Sequence, residues 1–487
     1  MSDPLAALFV PELRWDRDHG FSHLIELVEE CLALGVGGFV LRGGPREAAR
    51  AFIAELQSAS RLGLLIAAEA ERGAGQAFTD ATGLPPAAAL GVLRDEQLVR
   101  RAARLTAREL RAIGVNWALA PCADLALTTE NPLLGSRSFG ADVQKVAEWV
   151  VAWSDTCQAE GVMACGLHLP GVGRLHTDPA LDTNAAITAS GETLWNADLV
   201  PFRALVDAGV ATLLVSQVSY PQLDTSAVPA AQSALVLERL LRGELGFEGL
   251  LVSDAPGQAA AMRGGTEADA ALRAIAAGCD LALAPSDVAA AVEGVDAALR
   301  DGALHPDRVD AALERRHFWA EWARGEVLRE ATLDDVLWAR QVADTVVHAT
   351  RGVIANVGPV VDVILVDDDA DRAWENAERR CAPLLETLRA VGLAPRVVEG
   401  PTDEGRGAVL VVVLGEPRQG RGRAGYREDT RRRVARAVSE SRAARRSVLG
   451  LVFGPPALAE ELPELPNLVC AWSGDRAMQA AAARRLA

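Results

Sequence analysis

At 487 residues, half of them hydrophobic, the chain is long enough for two or three domains and a large core. Its net charge of −17 argues against a nucleic-acid partner, whose phosphates demand a basic surface. No apolar stretch approaches the ~20 residues of a membrane span, and the opening MSDPLAALFVPELRWDRDHG lacks the basic start and apolar block of a secretion signal.

Short apolar, β-rich runs recur along the first two-thirds. They are ALFVPEL (7–13), GGFVLR (37–42), GLLIAAE (63–69), VNWALAPC (115–122), VMACGLH (162–168), ATLLVSQ (211–217), GLLVSD (249–254) and CDLALAP (279–285). Amphipathic stretches such as 95–114 and 143–161 lie between them. Continuous apolar strands alternating with helices predict a parallel sheet covered on both faces. Eight of them fit a (β/α)8 TIM-like barrel over residues 1–335, with a doubly wound open sheet as the alternative.

After about residue 330 the pattern restarts with VDVILVD (361–367), AVLVVVL (408–414), SVLGLVF (447–453) and NLVCAW (467–472). A second, smaller α/β domain is expected over 350–487, joined through a helical region at 306–350. GEPRQGRGRAGYRED (415–429) reads as a solvated loop or as a grip for an anion. The seven cysteines are scattered without a CxxC pair, which predicts reduced, buried thiols and a cytoplasmic address. Lys145 is the only lysine, so a required cation should appear as arginine.

The runs close on Arg42, Glu69, His168, Gln217, Asp254 and Ser286, with Asp124 shortly after the fourth. Polar groups at the carboxyl ends of successive strands converge on one mouth, where barrel enzymes place their chemistry. Asp254 follows an apolar strand directly; by position alone it serves equally as a nucleophile, base or ligand orienter, or as a cap on the next helix. No His/Cys/Asp cluster has metal-ligand spacing, so neither metal nor cofactor is expected.

VNWALAPCADLALTTENPLLGSRSFG (115–140), GLLVSDAPGQAAAM (249–262), LPPAAALG (84–91) and AGVATLLVSQVSYPQLD (208–224) resemble glycoside hydrolase family 3. The likeness is strongest to its bacterial β-N-acetylglucosaminidase branch. The tail from Ser447 is similar to the α/β sandwich that follows the barrel in two-domain members. The resemblance implies a retaining double displacement in which Asp254 is the nucleophile. It implies a histidine acid/base in the loop after the fifth strand, within a pattern of Lys-His, Phe-Pro-Gly-His-Gly and Asp-Ser-His.

GLHLPGVGRLHTD (166–178) departs from that pattern. His168 keeps the histidine of the pair, as a hydrogen-bonded structural residue or a sugar contact, while Leu167 stands in place of the lysine. Pro170, Gly171 and Gly173 keep the turn, but Val172 replaces its histidine. Asp178 keeps the acid, yet Pro179 and Ala180 replace Ser-His. Elsewhere EAERGA (69–74) replaces Asp-Gln-Glu-Gly-Gly-Arg, leaving Glu69 to accept from a sugar hydroxyl, and Ala77 replaces an arginine. Arg137 matches a sugar-contacting arginine, and Gln217 replaces a histidine.

His176 with Asp178 restores a His–Asp pair in reversed order, with Asp182 as a second carboxylate nearby. The alternative is a solvent-facing His176. The expectation is a retaining β-glycosidase for small β-glycosides or amino sugars, β-N-acetylhexosaminides among them. A catalytically degenerate barrel binding a sugar or a protein partner is the rival, and glycoside phosphorolysis is third. Neither nucleic acid nor membrane is an expected partner, and the oligomeric state is not readable.

Overall fold

Valine, leucine and alanine runs too short for helices, each bounded by glycine, proline or a polar residue, become buried parallel strands. The computed structural model describes residues 4–325, 329–354, 356–369, 377–402 and 407–486. Its contacts divide the chain into two units. The first is Met1–Thr82, Asp95–Thr128 and Ser138–Thr332; the second is Gly83–Arg94, Thr129–Arg137 and Leu333–Ala487.

In the first unit each predicted run contains a strand. They are β1 (Phe9–Val10 and Glu12–Arg14, split at Pro11), β2 (Gly38–Arg42), β3 (Leu65–Glu69), β4 (Trp117–Leu119), β5 (Cys165–Leu169), β6 (Thr212–Val215), β7 (Leu250–Ser253) and β8 (Leu281–Leu283). All pair in parallel with their sequence neighbours. Phe9–Val10 pairs with β8, and Glu12–Arg14 pairs with β2. Pro11 has no N–H to give, but its carbonyl accepts from Val40 at 2.9 Å, so one broken strand serves both neighbours. Bridges Trp117↔Met163 and Cys122↔Leu167 join β4 to β5. The sheet therefore closes into an eight-stranded barrel, and the open-sheet alternative falls away.

The barrel is filled rather than hollow. Trp117 is fully buried, and its indole N–H donates to the Thr212 hydroxyl at 2.9 Å. That hydroxyl passes its own hydrogen to the Ala164 carbonyl at 2.9 Å. Around the strands, helices start where the sequence supplies caps: Asp95 before Glu96–Ile113, Asp142 before Val143–Ala159, and a Thr266–Asp269 capping box before Glu267–Ala277. At the amino ends of the strands, helix Pro306–Trp322 lays arginines against the barrel floor. Arg316 is 3% exposed and donates to the carbonyls of Gly37 and Gly63. Burial lowers its guanidinium to about 10. Fully buried Asp280 accepts from Arg242 at 2.6 Å, Arg315 at 3.0 Å, Arg308 at 3.2 Å and the Leu251 N–H at 2.9 Å.

The second unit contains a six-stranded sheet in the order β9 (His348–Arg351), β14 (Leu468–Cys470), β13 (Val448–Phe453), β12 (Val409–Leu414), β10 (Val360–Asp367) and β11 (Ala394–Val397). Five strands are parallel and β9 is antiparallel. The four predicted runs are its four central strands. The added β9 and β11 lie at the edges, where HATR and APRV need no apolar run. GEPRQGRGRAGYRED is neither the solvated loop nor the anion grip expected of it. Arg421 is 4% exposed and paired with Asp368 at 2.6 Å and Asp369 at 3.2 Å, and Arg423 bonds the same two carboxylates. Two aspartates just after β10, Asp368 and Asp369, take up the charge that an anion would need. Residues 326–328, within the expected join at 306–350, lie outside the described residues.

Candidate active site

Parallel closure brings the carboxyl ends of all eight strands to one mouth, with adjacent strands ~4.8 Å apart, so residues distant in sequence become neighbours. Asp254 stands there directly after β7, half-buried, with its backbone N–H donating to Val215 at 3.0 Å. Its Oδ1 accepts from the Ala255 N–H at 2.8 Å, and its Oδ2 accepts from the Gln258 amide at 2.7 Å. Gln217, 1% exposed at the end of β6, donates to the Ser253 hydroxyl at 2.9 Å and to the Asp254 carbonyl at 2.7 Å. The amide oxygens of Gln217 and Gln258 are buried and have no hydrogen-bond partner among the described residues. Both oxygens are closed to solvent, so they belong to the packing that supports Asp254, and a buried acceptor left unpaired costs ~1–3 kcal/mol.

His168 lies two strands away from Asp254 and is 9% exposed. Its Nδ1 is 2.8 Å from Asp124 Oδ2, and its backbone N–H donates to the same oxygen at 3.1 Å. Asp124 Oδ1 accepts from the Val172 N–H at 2.8 Å, while the Cys122 thiol sits 3.4 Å from Oδ2. Burial opposes ionisation of Asp124, but His168 and the two backbone donors outweigh it and hold the carboxyl below its usual 3.8. An ionised carboxylate can only accept, so His168 carries its hydrogen on Nδ1. Cys122, Asp124 and His168 offer donor atoms within 4.8 Å of one another, a grouping with no signature in their spacing. Their bonds run among themselves and to the loop backbone, so the carboxylate oxygens are occupied in holding the loop.

The glycines of GLHLPGVGRLHTD are required for packing. A Cβ on Gly173 would overlap the Leu125 carbonyl, and one on Gly171 (φ +120°) would come 3.2 Å from Asp198. Tyr220 donates to the Gly171 carbonyl at 2.9 Å, and Arg174 spans both oxygens of buried Asp198 at 3.2 and 3.0 Å. Burial raises the Asp198 carboxyl despite that arginine. Val172 and Leu167 are 1% and 2% exposed, so both departures from the family pattern are buried apolar contacts. His176 is exposed and Asp178 is 3% exposed. Asp178 Oδ1 accepts from the Ala180 N–H at 3.0 Å, an Asx-type turn.

Across the mouth, Arg42 ends β2 between two carboxylates: Glu69 at 2.6 Å and Glu12, which it also contacts. Burial works against its charge, but Glu69 and Glu12 more than compensate and raise the guanidinium above its usual value. Arg137 belongs to the second unit by its contacts, and its backbone N–H donates to Leu134 at 2.7 Å. Sequence reasoning passed over Glu12 and Gln258. The only signal for Gln258 was its place four residues after Asp254, one turn on. Arg42→Ala leaves Glu12 and Glu69 without their shared cation; in this part-exposed setting it should cost about 1–2 kcal/mol, read as a lowered denaturant midpoint at unchanged slope.

Comparison with known proteins agrees with this geometry. The family description "Glycosyl hydrolase family 3 N terminal domain" matches residues 26–316. A β-N-acetylglucosaminidase/β-glucosidase from Cellulomonas fimi is 35% identical over 292 residues, 58% of this chain and 51% of that protein. A β-hexosaminidase from Thiobacillus denitrificans is 36% identical over 236 residues, 47% of this chain and 65% of that protein. The chain thus spans about half to two-thirds of the length of these curated relatives. Among solved structures, a family 3 β-N-acetylglucosaminidase from Paenibacillus sp. superposes with a TM-score of 0.82 at 22% identity, over 99% of this chain and 95% of that one. A β-glucoside phosphorylase gives 0.83 at 18% identity, over 100% and 92%. At those identities the likeness is one of fold. With the match over 26–316 and the closed barrel that carries Asp254 at its mouth, the chain belongs to glycosyl hydrolase family 3.

Proposed function

We propose that the chain is a retaining β-glycosidase acting on small β-glycosides, β-N-acetylhexosaminides among them, through Asp254 as nucleophile. One observation carries the reading: Asp254 follows β7 directly at the barrel mouth, half-buried, with its carboxylate fixed by Ala255 and Gln258. Attack of Oδ on the anomeric carbon would form a glycosyl ester and expel the aglycone, and water would then cleave the ester. His176 with Asp178 is the acid/base on this reading, because exposed His176 can exchange protons with bulk water. His168 and Glu69 would contact the sugar, while Gln217 would hold Asp254 through its backbone carbonyl. Seven free, buried cysteines support a cytoplasmic setting, and no described helix is long and apolar enough to cross a membrane.

A specific observation favours the rival reading of a degenerate, sugar-binding barrel. Gln258 occupies Oδ2 of Asp254, and Arg42 occupies Glu69, so two sugar-facing carboxylates are spent internally. Intact-mass measurement after incubation with activated 2-fluoro donors of the gluco and xylo series and a 5-fluoro donor of the N-acetylglucosamine series separates the two. A sugar adduct supports the retaining enzyme; binding without an adduct supports the rival. His176→Ala should lower turnover of unactivated β-glycosides ~10²–10⁴-fold and spare activated aryl glycosides, where little protonation is needed. Equal loss on both substrate classes would remove His176 from the acid role.

A further inference from the structure

At the other end of the barrel, a cleft of about 610 Å³ lies between the turns that precede β6 and β7 and the last turns of helix Pro306–Trp322. Phe318, Trp319 and Trp322 form one wall, and Phe247 lies opposite. A water-facing helix ordinarily turns polar residues outward. Here Phe318 is 61% exposed and Trp322 36% exposed, in a chain only 5% aromatic. Phe318 and Trp319 sit 5.4 Å apart at 88°, and Trp319 and Trp322 sit 5.5 Å apart at 64°. The rings brace one another edge-on, which leaves ring faces presented at fixed angles.

The charged groups of the cleft decide what fits it. Arg315 is tied to buried Asp280 at 3.0 Å. Glu248 and Glu314, both exposed, supply carboxylates beside the rings. An anionic ligand would meet those carboxylates, and a wholly apolar one would strip their water without replacing it. A pyranose ring suits both surfaces. Its C–H face packs on electron-rich aromatic faces, while its hydroxyls donate to carboxylates. The volume falls among small-ligand sites, roughly 300–1,000 Å³.

We infer that this cleft is a second carbohydrate site, one that holds an oligosaccharide rather than cleaving it. Asp254 lies beyond the four residues of β7, ~13 Å along the strand, so no bond held here reaches the nucleophile. The inference does not depend on turnover at the mouth.

Fluorine NMR of protein labelled with 5-fluorotryptophan tests it. Trp319→Phe and Trp322→Phe assign the two resonances. Chitotriose, cellotriose and xylotriose are then titrated separately to millimolar concentration. The expected result is a saturable shift of the Trp319 and Trp322 resonances with at least one trisaccharide, and no shift of buried Trp117. Phe318→Ala and Glu314→Gln should each weaken the apparent affinity at least tenfold, while Asp254→Ala leaves it unchanged. Absence of a shift with all three sugars overturns the inference. So does a shift that survives both cleft variants, one lost in Asp254→Ala, or one reproduced by tenfold dilution alone, which would mark a second copy of the chain as occupant.

Discussion

Asp254→Ala should abolish covalent labelling by a 2-fluoro glycosyl donor and lower kcat/KM on the order of 10⁴-fold or more, with the barrel still folded. The fold survives because the position is held by its backbone: its N–H pairs with Val215, and its carbonyl receives Gln217 and Ser253. Among the described residues the side chain accepts two bonds, from Ala255 and Gln258, at a half-buried site. Asp254→Asn sharpens the test. A carboxamide can still accept from Ala255 but presents no nucleophilic oxygen of comparable strength, so it too should fail to label. Intact mass reports the adduct, and far-UV circular dichroism reports the fold. An adduct that persists in both variants would place the nucleophile elsewhere in the mouth.

Much of the architecture was legible because parallel barrel strands are buried on both faces and read as uninterrupted apolar runs. All eight runs hold strands, and the same logic found the four central strands of the second unit. Its edge strands escaped because an edge needs no apolar face. Grouping of 83–94 and 129–137 with the last part of the chain also left no trace in composition. At the site, positions were readable and partners were not. Arg42, Asp124, His168 and Gln217 stood out as polar strand ends. That Arg42 is held by Glu12 and Glu69, or that Asp124 binds His168 and Val172, depends on contacts 27 to 48 residues apart in sequence. Leu167 and Val172 looked like losses of chemistry; their burial shows that the loop also gained apolar packing.

That packing has a polar pivot, and the second large effect is expected there. Asp124 is fully buried and receives the His168 ring, the His168 and Val172 backbone N–H groups and the Cys122 thiol. Asp124→Ala would strand those donors around a cavity, and breaking a buried charge-assisted cluster costs ~3–5 kcal/mol. Asp124→Asn keeps the volume but replaces an acceptor oxygen with an N–H₂ that faces other donors, so it should cost nearly as much. The pH dependence separates charge from shape. Asp124 is held below 3.8 in the folded chain, so the unfolded chain binds more protons at this residue as the medium acidifies. Its contribution is therefore complete above the ordinary carboxylate value and is lost as pH falls through the folded value. Urea midpoints of wild type and Asp124→Asn should differ most near neutrality and converge as pH falls below the ordinary carboxylate range, where the charge of Asp124 is lost. Should the gap stay constant across that range, Asp124 would be acting through shape alone. In that case the loop would be held by the geometry of its hydrogen bonds to Asp124 rather than by the carboxylate charge.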